Sequence, residues 1–210
     1  MKRIIGSFLL LVVCTAAMAQ QRVVAECTVT YSITLEDGAP DNEMTESLKS
    51  SVKTVYIKAN NSRSDIMSPS FKQSLIYDKS AGTAVILREF GNNKFMTRLD
   101  NAKWTALNNA YEGMTINNLN ETKTILGYEC KKAELVLKDG SSFIIYYATN
   151  IVPSVKEFEY QFKDVPGFVL EYESKEGNSG KIRFTATKIN TNPVQLSRFD
   201  IPTTGYRLLN

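Results

Sequence analysis

Val23-Val24-Ala25-Glu26-Cys27-Thr28-Val29-Thr30-Tyr31-Ser32-Ile33-Thr34-Leu35 is the stretch that decides the fold. Its odd positions are apolar throughout, and its even positions from Glu26 to Thr34 are all polar. A period of two is the signature of a β-strand with one face buried and one face wet. The same alternation returns at Phe168, Leu170, Tyr172 and at Ile182, Phe184, Ala186. Between them lie strand-like runs at 54–58, 73–77, 83–89, 94–99, 126–137 and 142–148.

Short polar turns separate the runs: Asn60-Asn61-Ser62, Asp78 to Gly82, Gly91-Asn92-Asn93, Asp139-Gly140 and Glu176 to Gly180. Asp-Gly between two alternating segments is the strongest of these hairpin signals. Strand, turn, strand without intervening helices predicts an antiparallel meander of about nine strands, not parallel βαβ units. Around Cys130 the apolar phase slips from the even positions Leu126, Tyr128 and Cys130 to the odd positions Ala133, Leu135 and Leu137. A ladder changes face only by taking up an extra residue, so a β-bulge is predicted near Lys131-Lys132, bending the sheet.

Two segments escape the alternation. From Asp41 to Ser51, with Asp41 as the cap, Met44, Leu48 and Val52 fall on one helical stripe, and Trp104, Leu107 and Tyr111 repeat that spacing before an Asn-rich stretch ending near Glu121. Both are read as short helices covering the apolar face of the sheet. The fold expected is mainly β (α+β): a single curved antiparallel sheet or half-barrel.

The segment Ile125-Leu126-Gly127-Tyr128-Glu129-Cys130-Lys131-Lys132-Ala133 resembles the Gly-Tyr-x-Cys-Lys-Lys-Ala signature of the GLPGLI family of secreted Bacteroidota proteins. Tyr146 to Pro153, followed by Val165-Pro166-Gly167-Phe168-Val169-Leu170-Glu171-Tyr172, is similar in order and spacing to that family's other two segments. Val165, Asp164 and Phe168 depart from its pattern, where Leu, Gly and Leu stand. The order of Val55 to Lys58, Arg63 to Asp65, Leu75 to Asp78 and Phe199 to Pro202 resembles lipoprotein carriers of the LolA and LolB type. That resemblance implies a half-barrel whose concave apolar face, covered by helices, receives acyl chains; fold likeness by itself does not transfer function.

The first nineteen residues read as a secretory signal peptide. Lys2 and Arg3 precede an apolar core from Phe8 to Val13, and Ala17-Met18-Ala19 is a small-x-small cleavage site. Residues 20–210 are then expected as a single exported domain, periplasmic or secreted, without a transmembrane segment. Loss of Lys2 and Arg3 brings a formal charge of +3 close to zero, which argues against nucleic acid or an anionic membrane surface as partner. The chain has no histidine, so Ser-His-Asp and Cys-His catalysis and ordinary catalytic zinc sites are excluded. Cys27 and Cys130 either form one disulfide, worth about 4 to 5 kcal/mol by chain entropy, or stand as two separate buried thiols.

These features predict a binding protein, not an enzyme, with no metal or organic cofactor. Its expected ligand is an apolar molecule or a lipidated envelope protein held against Tyr31, Phe143, Phe168, Tyr172 and Phe184, with Lys58 and Arg63 at the cavity rim. The alternative is a structural or assembly protein that docks another envelope protein through a sheet edge or through the 151–165 connection, where Pro153, Phe158, Tyr160 and Phe162 stand. Glu157 with Glu159, and Glu171 with Glu173, are paired acids that serve equally well as a solvated face.

Overall fold

The structure is a computed structural model that describes residues 21–35, 43–175 and 181–209. Residues 1–19, read above as a signal peptide, Asp41 and the turn expected at Glu176 to Gly180 lie outside the described residues. The chain folds mainly as β: strands β1 (Arg22–Val24), β2 (Glu26–Leu35), β3 (Val52–Lys58), β4 (Asn61–Met67), β5 (Phe71–Asp78), β6 (Thr83–Phe90), β7 (Asn93–Leu99), β8 (Thr115–Ile125), β9 (Tyr128–Val136), β10 (Ser142–Ala148), β11 (Ile151–Pro153), β12 (Phe168–Lys175), β13 (Lys181–Asn190) and β14 (Arg207–Leu209). The helices are α1 (Glu43–Lys49) and α2 (Asn101–Leu107).

Twelve strands form one open, curved sheet in the order β14-β7-β6-β5-β4-β3-β2-β13-β12-β10-β9-β8. Two antiparallel meanders, β2 to β7 and β8 to β13, are sewn together where β13 pairs with β2. Within this sheet only β14 runs parallel to its neighbour, β7. The alternating stretch from Val23 to Leu35 belongs to two strands, not one. Val23 is exposed and Val24 buried, because the chain breaks at Ala25 and β1 leaves to pair in parallel with β11. From Glu26 onward the expected alternation holds, with Cys27, Val29, Tyr31 and Ile33 all buried on what we call the inner face.

The Asp139-Gly140 hairpin joins β9 to β10, with Gly140 at φ 83° and Asp139 Oδ1 accepting from the Ser141 amide at 2.9 Å. The phase slip near Lys131-Lys132 is present, but the extra residues sit on the neighbouring strand: Asn118 faces Ala133 and Thr122 faces Lys131, so three residues of β8 oppose Lys132 alone. Further irregularities at Tyr146/Tyr147 against β12 and at Ala186/Lys188 bend the sheet. Asn117 to Glu121, read as a loose stretch, belong to β8, an edge strand exposed along nearly its whole length. Asn61 and Ser62, read as a turn, open β4; the turn itself is Ala59-Asn60, with Ala59 at φ 51°.

Both predicted helices exist and are shorter than expected. On α1, Leu48 is buried, whereas Val52 already begins β3 and is exposed. The Asp100 carboxylate caps α2 by accepting from the Lys103 amide at 2.8 Å, and Trp104 is buried between the rings of Tyr77 and Tyr160. Leu107 faces solvent. The main cover of the inner face is the connection from β11 to β12, two 3₁₀ turns at Lys156–Phe158 and Tyr160–Phe162. Val155, Phe158, Phe162 and Val165 are all essentially buried in it. The aromatic side chains expected to make this connection a docking segment therefore point into the chain's own core.

The opposite face carries a second, smaller core of Ile76, Val85, Leu87 and Met96. A C-terminal strap covers it, with Ile201 and Tyr206 packed against these residues before β14 joins the edge of the sheet. Cys27 and Cys130 are not bonded to each other. They lie four strand positions apart, roughly 19 Å at about 4.8 Å per strand, where a disulfide needs Cα atoms within about 7 Å. Burial pushes their thiols up, to about 12 for Cys27 and about 11 for Cys130, as expected for inert apolar side chains.

Candidate functional site

Four of the five aromatic residues predicted to line a hollow are brought together on the inner face. Tyr172 and Phe184, cross-strand partners on β12 and β13, stack with centroids 4.7 Å apart and planes 7° from parallel. Tyr31 meets Tyr172 edge-on at 6.0 Å and donates its hydroxyl to Val169 O at 2.9 Å. Phe168 packs on Phe158 at 5.8 Å, and Phe162 stands on the Tyr172 ring at 4.9 Å. The hollow is thus occupied by Phe158 and Phe162 of the connection, which roofs the sheet. Phe143 is only partly buried and sits at the margin of this core, away from the others.

Beside the roof a cleft of about 200 Å³ opens, lined by the Tyr172 and Phe184 pair on one side and by residues of β3, β4 and β5 on the other. At its base is Lys53, whose side chain is only 3% exposed. Its Nζ donates to Tyr172 Oη at 2.6 Å and to a carboxylate oxygen of Glu159, and lies 5.2 Å and 5.0 Å from the centroids of the Tyr172 and Phe184 rings. Ser64 Oγ also donates to Glu159, at 3.3 Å. An ammonium this deep needs a paired and hydrogen-bonded environment, and the roof provides its carboxylate. Gln73 and Gln161 complete the polar part of the lining. Arg88, on β6 beside Gln73, donates Nε to Gln73 Oε1 at 2.9 Å.

Lys58 and Arg63, expected at the cavity rim, are on the opposite face. They alternate with the inner residues Ile57, Ser62 and Ser64 and serve the C-terminal strap. Lys58 Nζ bonds Glu26 Oε1 at 2.5 Å and Val194 O at 2.9 Å, and Arg63 bonds Asp65 at 2.7 Å and Arg198 O at 2.8 Å. Glu171 and Glu173 are buried instead of forming a solvated face: Lys123 and Thr185 bond Glu171, and Arg183 bonds Glu173. Glu157 and Glu159 lie on the roof, pairing with Lys79 and Lys53 respectively.

Lys53 and Gln73 were missed because polar residues in a strand read as its wet face. The available signal was parity: Lys53 shares a face with Val55 and Ile57. Nothing local announces Glu159, which is 106 residues away.

Residues 48–183 match the family described as "Uncharacterized protein family (ORF7) DUF". No curated protein matches the chain. Among solved structures it is similar to PNGF-II, at 14% identity and a TM-score of 0.51 over 87% of this chain, and spans only 30% of that protein. It is also similar to an uncharacterized conserved protein from Thermus thermophilus, at 6% identity and a TM-score of 0.51, covering 89% of this chain and 90% of that one. MucB matches at 10% identity and a TM-score of 0.44, over 85% of this chain and 58% of that one. The first two likenesses concern the fold alone. No helix among the described residues is long and apolar enough to cross a membrane.

Proposed function

We propose that this chain, which belongs to the ORF7 family, is an exported cell-envelope binding protein without catalytic activity, holding an apolar ligand or the lipidated end of a client against the inner face of its curved sheet. In this reading the sheet is a half-barrel of the LolA and LolB kind, its concave side is the inner face, and the GLPGLI-like segments are part of its frame. The observation that carries the proposal is the way the inner face is closed. A broad aromatic surface of Tyr31, Phe168, Tyr172 and Phe184 is roofed by two single 3₁₀ turns, not by a long helix or a second sheet, and a cleft already opens at the side of that roof. Short 3₁₀ turns have poor hydrogen-bond geometry and little stability of their own. The roof is held by Val155, Phe158, Phe162 and Val165 and by the pairs Lys53–Glu159 and Lys79–Glu157, and an acyl chain offering equivalent apolar contact takes the place of part of it.

Native mass spectrometry of protein purified from its own envelope tests this. The expected spectrum contains an adduct with the mass of an apolar molecule, lost on solvent extraction together with several degrees of thermal stability. A delipidated protein of unchanged stability that takes up no fluorescent fatty acid would refute the carrier role.

A further inference from the structure

The charge balance of the cleft narrows the chemistry of its ligand, provided the binding reading above holds. On the sheet side the lining contributes one ammonium, Lys53, and no carboxylate. Arg88 stands on the same face but three strands away, on β6, outside the lining of the cleft. Among the described residues, its guanidinium bonds only the neutral Gln73 and makes no ion pair. The one carboxylate of the lining is Glu159, which belongs to the roof and occupies the extended residue between the two 3₁₀ turns. Any movement that lifts the roof off the aromatic floor therefore takes away the carboxylate partner of a buried lysine. Stranding a buried charge in this way is far costlier than exposing the apolar rings around it.

We infer that Glu159 is a resident stand-in for the ligand's own anionic group, and that the cleft takes an amphiphile whose single chain ends in a carboxylate or phosphate monoester. The head replaces Glu159 on Lys53, while the chain lies on Tyr172 and Phe184. The exchange keeps the buried ammonium paired throughout, because Glu159, already 21% exposed, turns to water as the new oxyanion arrives. An uncharged chain of the same length offers the rings the same contact and leaves Lys53 with Tyr172 but without a carboxylate.

Isothermal titration of the full chain with decanoate, decyl phosphate, 1-decanol and inorganic phosphate separates the possibilities. The expected result is that at least one of the two charged amphiphiles binds about tenfold or more tightly than decanol, and that inorganic phosphate binds far more weakly than either chain. Glu159→Gln removes the internal competitor and is expected to raise decanoate affinity about tenfold. Arg88→Gln, on the same face but three strands from Lys53, is the control and is expected to leave the affinities for decanoate and decanol unchanged. Equal affinities for decanoate and decanol, unaltered by Glu159→Gln, would overturn the anionic head group and leave the apolar binding role standing. Inorganic phosphate binding as tightly as decyl phosphate would make this a free-anion site and overturn the amphiphile. Failure of every chain to bind would overturn both readings.

Discussion

An added Cβ at Gly167 would stand 2.2 Å from the carbonyl oxygen of Ala148 and 2.7 Å from a Tyr147 ring carbon, because β12 starts by passing hard against the end of β10. Backbone cannot yield there as a flexible side chain would. Gly167→Ala is expected to cost about 1–3 kcal/mol, a fall of several degrees in Tm by calorimetry. A Cβ at Gly127, by contrast, would meet nothing within 4 Å; the demand there is its φ of +80° in the β8–β9 turn. Both glycines act on the backbone.

At the scale of elements, the C-terminal strap shows how charge and burial fasten one segment to another. Tyr206 donates its hydroxyl to Glu89 Oε1 at 2.7 Å. Burial first, and then this bond, push the phenol up to about 12, while the same bond is the main reason the Glu89 carboxyl is held below its ordinary range. In the unfolded chain a tyrosine ionises near 10, so between about pH 10 and 12 the folded strap retains a proton that the unfolded chain has lost. This contribution is complete below pH 10 and disappears as the pH rises through 12. Hydrogen exchange of residues 200–209 is expected to accelerate over that interval in the wild type and to show a flatter pH dependence in Tyr206→Phe; identical profiles would contradict the assignment.

Elements differed in how legible they were, for physical reasons. Strands with one apolar face, such as β5, β6, β7 and β10, were visible in the alternation of their side chains. The inner face of β4 is Ser62, Ser64 and Ile66, too polar over its first two positions to register, and β8 is an exposed edge with no face to bury. The strap owes its position to partners more than 100 residues away, as with Tyr206 and Glu89. The aromatic floor was legible because large rings at alternate positions must be buried somewhere. Its roof was not, since a 3₁₀ connection has no period by which to recognise it.

For the molecule as a whole, two meanders joined at β2 and β13 make a sheet too wide for the two α-helices among the described residues to cover. The chain solves this twice, with the strap on one face and the aromatic connection on the other. The strap is tied by Arg63, Lys58 and Tyr206 and by an added strand. The roof is tied by buried Val155, Phe158, Phe162 and Val165, by the Trp104–Tyr160 contact and by the pairs Lys53–Glu159 and Lys79–Glu157, and in the proposed exchange of Glu159 for a ligand's head group it is the part that moves. Hydrogen exchange mass spectrometry of the segment 154–167, with and without saturating decanoate, tests this most directly. Ligand is expected to lower protection across Lys156 to Phe162 while β12 and β13 keep theirs; unchanged or increased protection of the roof in a protein carrying bound decanoate would contradict the exchange.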